Sequence, residues 1–180
     1  MGQDKRRLVF DGSPALVRII ETCVAALRVP PMVVVPPADD WGQAAVKATG
    51  TQAVIPPDAA KGMAYSLRAG LAAAPDAWDA VIIALADMPF VGAALLGHLA
   101  AQGTRDAIIV PTHEARYGNP VLWGRDHWPG LMALEGDTGG RALFASLAEY
   151  ITEIEWPDDS VLRDIDTPED YNKAYSHDRI

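Results

Sequence analysis

The chain has 180 residues, a formal net charge of −9, 49% hydrophobic residues and one cysteine, Cys23. One compact domain is expected at this length, and the acidic balance argues against nucleic-acid binding by general charge attraction. No apolar run approaches the roughly 18 residues that a membrane span requires, and the polar start is unlike a secretory signal. A lone cysteine excludes an intrachain disulfide, so these features favour the cytoplasm.

Apolar runs rich in β-branched residues alternate with helical patterns along the chain. Strands are predicted at 32–35, 53–55, 81–86, 107–110 and 151–155, and a strand-like VLW follows residue 120. Helices are predicted at about 14–28, 62–74, 91–102, 138–147 and 168–176 from apolar residues spaced i, i+3, i+4 and i+7. This alternation predicts a mostly parallel sheet covered on both faces. Such sheets bind ligands outside the carboxyl ends of their strands.

The most apolar strand, VIIALA, is followed directly by Asp87. A buried strand would deliver this carboxylate to the ligand-binding edge, where an ionised carboxylate is rarely left unpaired. A hard cation such as Mg²⁺, together with nucleotide phosphates, would satisfy it. Asp87 could equally cap a helix that begins near Pro89, and the local sequence leaves both roles open.

Three consecutive cations, Lys5 with Arg6 and Arg7, lie close to Gly2 near the start of the chain. Such a run could neutralise a triphosphate through local charge. Taken by itself, the segment is explained more simply as a solvated charge run.

The segment GMAYSLRAG starts a predicted helix at Gly62. A helix N-terminus offers N–H groups and a partial positive charge to an anion, and Lys61 adds a cation there. Lys61, Gly62, Met63 and Ser66 are therefore candidates for nucleotide binding. A plain amphipathic helix explains the segment equally well.

Two glycine-containing segments follow in the second half of the chain. In HEARYGNPVLW, the residues Arg116, Gly118, Asn119 and Pro120 form a turn that leads into VLW, and a hairpin turn is the favoured interpretation. A functional turn would use Arg116 and Asn119 to hold a second substrate. GDTGGR either allows a close backbone approach to a ligand or caps the next helix through Asp137 or Thr138.

The segment DIDTPEDY contains a helix start, because Thr167, Pro168 and Asp170 occupy the cap, first and third positions. That pattern leaves Asp164 and Asp166 unexplained. The two acids alternate along an extended segment, and one of them could share a cation with Asp87, since a shared cation resolves the repulsion between neighbouring acids.

Taken together and in this order, these segments resemble the molybdenum cofactor nucleotidyltransferases, the MobA-like NTP transferase family, and its cytidylyltransferase branch more than its guanylyltransferase branch. MGQDK followed by DGSPALV resembles the end of the family signature LAAGxSxRMGxxK. GMAYSLRAG, ALADMPFV, YGNPVLW, GDTGGR and DIDTPEDY resemble its later blocks. The resemblance extends over nearly the whole chain.

The resemblance implies a Rossmann-like, three-layer nucleotidyltransferase fold with a mostly parallel sheet, as one domain over residues 1–180. The first strand and the LAAGxS turn of the family would precede Met1. The domain is therefore expected to be N-terminally incomplete, lacking the first strand and leaving two strand edges open.

The implied activity is transfer of CMP from CTP to a phosphorylated acceptor, molybdopterin, with Mg²⁺ as cofactor; GTP is the alternative nucleotide and a molybdenum enzyme a further partner. Lys5 and Asp87 would be catalytic, and Asp164 and Asp166 would join Asp87 as metal ligands. The nucleotide would be bound by Gly2, Lys5, Lys61, Gly62, Met63, Ser66 and Asp87. The acceptor would be bound by Arg116, Gly118, Asn119, Pro120 and Asp137.

Two other functions stay open at this point. One is a nucleotidyltransferase that acts on a sugar phosphate or on methylerythritol phosphate. The other is a non-catalytic relative that holds the pterin, or docks on a molybdenum enzyme, without transferring a nucleotide.

Overall fold

The computed structural model describes residues 4–27 and 29–165. The strands are β1 (Val9–Phe10), β2 (Ser13–Pro14), β3 (Met32–Val34), β4 (Gln52–Val54), β5 (Ala80–Ile83), β6 (Ile108–His113), β7 (Arg116–Tyr117), β8 (Val121–Gly124) and β9 (Ile151–Glu155). The α-helices are α1 (Ala15–Leu27), α2 (Asp40–Ala48), α3 (Met63–Ala73), α4 (Ala93–Ala101) and α5 (Trp128–Met132). Short 3₁₀ turns lie at Lys5–Arg7, Ala59–Lys61, Arg125–His127, Gly140–Leu143, Ala148–Tyr150 and Asp159–Val161.

The main sheet has five strands and is mixed. Its order is β5-β8-β6-β7, with β9 also paired to β6. The predicted parallel pairing holds for β6 with β9, and for β3 with β4 in a separate two-stranded sheet. Strand β8, the strand-like VLW that was predicted to follow a hairpin turn, is antiparallel to both β5 and β6. The physical reason is the short link from β6 to β8, because a parallel crossover needs a dozen or more residues.

The small β3–β4 sheet and the main sheet share the same covering helices. On α1, Ile19 and Cys23 pack in a cluster with Ile82 of β5, whereas Leu16 and Ile20 pack with Val33 of β3. Helix α3 also packs on both sheets, since Leu67 and Leu71 lie in a cluster with side chains of β5 and the helix contacts β3. The two sheets therefore form one layer between helices.

Strands β3 and β5 differ from β8 in burial. Within the described residues β3 pairs only with β4, and β5 only with β8. All residues of β3 and β5 are half-buried, although helices cover both sheets, whereas every residue of β8 is buried. Each of the two strands thus has one side without a strand partner in this part of the chain.

The helix predictions are confirmed for α1, α3 and α4, with bounds that differ by one or two residues. The predicted helix at 138–147 is wrong, because only a 3₁₀ turn forms at Gly140–Leu143. Adjacent glycines at 139 and 140 disfavour a helix, and a Cβ at Gly140 would press on the Trp123 ring. Helices α2 and α5 were not predicted, and the helix predicted at 168–176 lies outside the described residues. No helix in the described part of the chain combines the length and the apolarity needed to cross a bilayer.

Candidate functional site

The carboxyl end of β5 brings together segments that are far apart in sequence. Asp87 lies just beyond the strand, is half-buried, and accepts a backbone hydrogen bond from Ile165 at 3.1 Å through its carbonyl oxygen. Ile165 is 2% exposed and packs against Phe10 and Ala15, with Phe90 at the edge of the cluster. The segment that contains Asp164 therefore lies between the N-terminal hairpin and Asp87.

The structure excludes one of the two roles that the sequence left open for Asp87. The helix that follows β5 begins at Ala93, and its N-cap residue is Gly92. Asp87 therefore does not cap that helix. Its position beyond a strand end is the one at which open α/β sheets bind ligands.

The metal ligands predicted from the sequence are Asp87, Asp164 and Asp166. Asp164 is exposed and precedes the residue whose N–H binds Asp87. Among the residues described, no group of three His, Cys, Asp or Glu side chains lies close enough to enclose a metal. Magnesium is commonly held by one or two carboxylates together with substrate phosphates and waters, so the metal-binding role of Asp87 and Asp164 stays a prediction. Asp166, the third predicted ligand, lies outside the described residues.

The N-terminal cations form an ordered turn. Arg6 donates to both carboxylate oxygens of Asp4, at 2.9 and 2.8 Å, and to Asp39 at 2.5 Å. Arg7 lies 3.3 Å from Asp4, and its guanidinium carbon lies 4.8 Å from the centre of the Trp41 ring. The Arg6 hydrogen bond lowers the pKa of Asp4, and Asp4 in turn raises the pKa of Arg6.

The simple picture of a solvated charge run is therefore wrong for this segment. Arg6 is bound to two aspartates and is a structural residue. Lys5, the predicted phosphate ligand, is half-buried at the first position of the turn. Gly2 lies outside the described residues.

The N-terminus of α3 is closed by the GDTGGR loop. The N–H of Met63 donates to the Asp137 carboxylate at 3.3 Å, and the N–H of Ala64 donates to the carbonyl of Gly136 at 3.1 Å. Gly62 has φ +124°, and a Cβ there would overlap the Gly136 backbone. Asp137, which was predicted to bind the acceptor, thus caps α3, whose first residues were predicted to bind the nucleotide. The GDTGGR loop therefore accepts hydrogen bonds from two of the N–H groups that were predicted to bind an anion.

Lys61 lies on the exposed surface just before α3. Its ammonium group is 2.9 Å from Asp58 and 5.5 Å from the centre of the Tyr65 ring. The hydrogen bond with Asp58 raises the pKa of Lys61, so the side chain keeps its charge at neutral pH. Ser66 is half-buried in the first turn of the helix.

The predicted acceptor segment, from Arg116 in β7 to Pro120, contacts two other parts of the chain. Gly118 packs against Val161, and the Asn119 N–H donates to the Val161 carbonyl at 2.8 Å. The Asn119–Pro120 peptide bond is cis.

Tyr117 makes the second attachment. Its carbonyl accepts from Arg141 of GDTGGR at 3.0 Å, and its hydroxyl donates to Glu153 at 2.8 Å, which raises the pKa of the phenol. GDTGGR therefore joins the start of α3 to the predicted acceptor segment.

The amino-acid sequence matches the MobA-like NTP transferase domain over residues 1–151. The chain belongs to this family. The match includes Lys5, Asp87 and the GDTGGR loop, and the α/β architecture of the MobA-like chain agrees with the fold that its resemblance implied.

Three known proteins illustrate the relationship. The purine catabolism protein PucB of Bacillus subtilis (strain 168) is 31% identical over 117 residues, which is 64% of this chain and 57% of that protein. The chain therefore spans somewhat more than half the length of this relative.

Structurally, Rv0371c from Mycobacterium tuberculosis H37Rv superimposes with a TM-score of 0.85 at 25% identity, covering 98% of this chain and 91% of the other. A manganese complex of the same protein superimposes with a TM-score of 0.83 at 25% identity, with coverages of 97% and 93%. A CMP:2-keto-3-deoxy-manno-octonic acid synthetase complexed with CTP shares the fold at 18% identity, with a TM-score of 0.72 and coverages of 98% and 92%.

Two residues at this edge of the MobA-like domain were not among the predicted site residues. Asp39 binds Arg6 and also accepts from the Gly42 N–H at 2.9 Å as the N-cap of α2. Arg141 links the GDTGGR loop to Tyr117. The doublet Asp39–Asp40 ahead of a helical pattern is a cap signal that could have revealed the first, whereas no local pattern points to the second.

Proposed function

We propose that this chain is a nucleotidyltransferase that moves CMP from CTP to the phosphate of molybdopterin. The observation that carries the proposal is the meeting of the motif segments at the carboxyl end of β5. Asp87 is joined there to the segment of Asp164 through Ile165, whose side chain packs against the hairpin that follows Lys5. Lys5 and the two acidic segments at one sheet edge suit the binding of a nucleoside triphosphate together with its metal ion.

Two features of relatives support the proposal. Rv0371c, which superimposes on this chain with a TM-score of 0.83 at 25% identity, was crystallised with manganese. This supports the proposal that Asp87 of this chain binds a divalent ion. A protein of the same fold was crystallised with CTP. Magnesium is our choice of metal for this chain because carboxylate donors suit hard cations.

In the proposed reaction a phosphate oxygen of the acceptor forms a bond to the α-phosphorus of CTP. The bond from that phosphorus to the bridging oxygen of the β-phosphate breaks, and pyrophosphate leaves. Because an ionised phosphate is already a nucleophile, little side-chain acid or base chemistry is needed. Positioning and charge stabilisation therefore account for most of the acceleration.

The residues divide these tasks. Asp87, with Asp164 and Asp166, would hold a divalent cation, which supplies Lewis-acid stabilisation of phosphate charge when bound. Lys5 and Lys61 balance charge on the triphosphate and on the leaving pyrophosphate. Gly2, Gly62, Met63 and Ser66 border the nucleotide, whereas Arg116, Gly118, Asn119, Pro120 and Asp137 border the acceptor.

The test is a transfer assay with radiolabelled CTP and GTP, Mg²⁺ or Mn²⁺, and a panel of acceptors: molybdopterin, methylerythritol phosphate and sugar 1-phosphates. We expect label from CTP in molybdopterin and equimolar pyrophosphate. Transfer to another acceptor would reassign the substrate but keep the reaction class. Absence of transfer to every acceptor, with nucleotide binding retained or lost, would contradict the proposal.

A non-catalytic, pterin-holding relative is the second candidate. It is favoured by the Asp137 carboxylate and the Gly136 carbonyl, which take two N–H groups at the start of α3. Calorimetry separates the two candidates: pterin binding without measurable binding of CTP or GTP at millimolar concentration, in the presence of Mg²⁺, would support the non-catalytic protein.

A further inference from the structure

We propose that Asp39 is a positioning residue for the nucleotide: through its ion pair with Arg6, it holds the turn that carries Lys5 against the start of α2. The inference rests on the proposed function, because Lys5 is taken as a ligand of the triphosphate. It adds a residue whose effect on substrate binding is transmitted through another side chain.

Asp39 makes two contacts, one with each carboxylate oxygen. Oδ1 accepts from the Gly42 N–H at 2.9 Å, which caps α2, and Oδ2 accepts from Arg6 at 2.5 Å. The side chain is only 9% exposed, whereas a helix cap needs no such burial. A Cβ at Gly42 would overlap this carboxylate, so glycine at that position leaves room for the carboxylate to lie where it meets Arg6.

Arg6 joins the turn to this helix. Its guanidinium contacts Asp4 with two nitrogens and Asp39 with the third. Arg7 makes a second attachment by lying over the ring of Trp41, the second residue of α2. The two aspartates balance the two arginines, so this cluster is neutral by itself.

Helix α2 gives the turn a rigid support at the edge where ligands bind. Val46 of α2 is fully buried and packs in a cluster with Val35, which directly follows β3, and with Ala86, which precedes Asp87. Asp39 also lies beyond the end of β3, as Asp87 lies beyond the end of β5. The Arg6–Asp39 pair therefore ties the turn of Lys5 to the same packed cluster that supports Asp87.

The expected consequence is a lower cost of binding the triphosphate. A lysine loses conformational freedom when it binds a polyanion, and a turn that is already ordered reduces that loss. Because Asp4 and Asp39 both bind the Arg6 guanidinium, Arg6 holds the turn in place. Asp39 should accordingly act on nucleotide affinity and leave acceptor affinity unchanged.

The experiment measures the Kd of CTP with Mg²⁺ in the full chain by calorimetry. Asp39→Asn keeps an oxygen for the Gly42 N–H and removes the charge that faces Arg6, and we expect a Kd that is weaker by about tenfold, which corresponds to about 1.4 kcal/mol. Arg6→Gln, which leaves the Asp39 cap in place, should give the same loss. The matched control is Asp79→Asn, which removes an exposed ion pair with Arg105 and should leave the Kd unchanged.

A positioning role and a purely structural role differ in the effect that they predict when Lys5 is absent. In a Lys5→Met background, Asp39→Asn should weaken CTP binding by less than twofold, because the group it positions is gone. An equal tenfold loss in both backgrounds would overturn the inference, as would an unchanged Kd in both Asp39→Asn and Arg6→Gln. If the wild-type chain binds neither CTP nor GTP, the proposed function fails and the inference with it; wild-type binding that is indifferent to Asp39 overturns the inference alone.

Discussion

The two ends of strand β5 carry similar residues in different surroundings. Asp79 precedes the strand and pairs with Arg105, which also binds Asp126, both at 3.2 Å; these side chains are 53–65% exposed. Asp87 follows the strand, is half-buried, and its backbone binds a residue that is 2% exposed. One end is a solvated network of ion pairs, and the other is a meeting point of distant segments.

The difference shows how to separate structural from functional charge in this fold. Exposed ion pairs at the amino end contribute little to stability. At the carboxyl end the chain crosses from strand to helix, where backbone groups and acidic side chains can converge on a ligand. Substitutions at the amino end should therefore change the stability slightly and leave the rate of nucleotide transfer unchanged. Substitutions at the carboxyl end should change the transfer rate.

The largest expected effect comes from replacing the acid at each end in turn. Asp87→Asn should lower the rate of nucleotide transfer about a thousandfold, since several kcal/mol of charge stabilisation in the transition state is lost. Asp79→Asn should leave the rate within about twofold, because the side chain is exposed and its pair is weak. Steady-state assays on both variants, with thermal melts to show that both are folded, decide the matter. Similar transfer rates for the two variants would show that Asp87 takes no part in the reaction.

Each end of β5 also has a glycine that lies against the backbone of another segment. Gly62 at the carboxyl side has a positive φ and faces the Gly136 backbone, and Gly124 at the amino side faces the Arg105 backbone. Alanine at either position should destabilise the fold by about 2–3 kcal/mol. Only Gly62→Ala should also weaken nucleotide binding per folded molecule, because it separates α3 from its loop. Urea unfolding and CTP titration of both variants test this, and equal nucleotide affinity would refute it.

The helix that covers the middle of β5 should affect stability alone. Burial raises the pKa of Cys23 to about 11 from 9.0, so the native thiol keeps its proton after the unfolded thiol has ionised. This contribution to the free energy of unfolding is complete below pH 9 and should fall by about 2 kcal/mol as the pH rises to 11. The difference between wild type and Cys23→Ala in urea unfolding at pH 8 and pH 10.5 measures it. A difference that does not change with pH would contradict the raised pKa.

The smallest effect is expected from Arg105→Met, which removes two exposed ion pairs at the amino end. Each such pair contributes about 0.2–1 kcal/mol, less at high salt. We expect a loss of at most about 1 kcal/mol in the free energy of unfolding and no change in transfer rate. A loss that persists at 1 M NaCl would show that the arginine contributes by packing and not by charge.

Much of the architecture follows from local patterns. On the predicted apolar face of α1, Leu16, Ile19, Ile20 and Cys23 are buried, whereas Val24 is exposed. Residues 151–155 form β9 as predicted. Periodicity identifies most of the buried face because it reports which side chains avoid water, but it overestimates the width of that face.

The sequence by itself determined the alternation of strands and helices, the family, and the placement of Asp87 beyond a strand end, since each depends on residues close together in the chain. Only the tertiary structure decided that β8 lies between β5 and β6, that Asp137 caps α3, and that Asp39 holds Arg6. These contacts join residues far apart in sequence, and neither hydrophobic spacing nor a cap signal specifies which distant partner a charged or glycine-rich segment will meet. That choice is made by packing, because close approach of backbones and burial of ion pairs become favourable only once the helices and sheets are assembled.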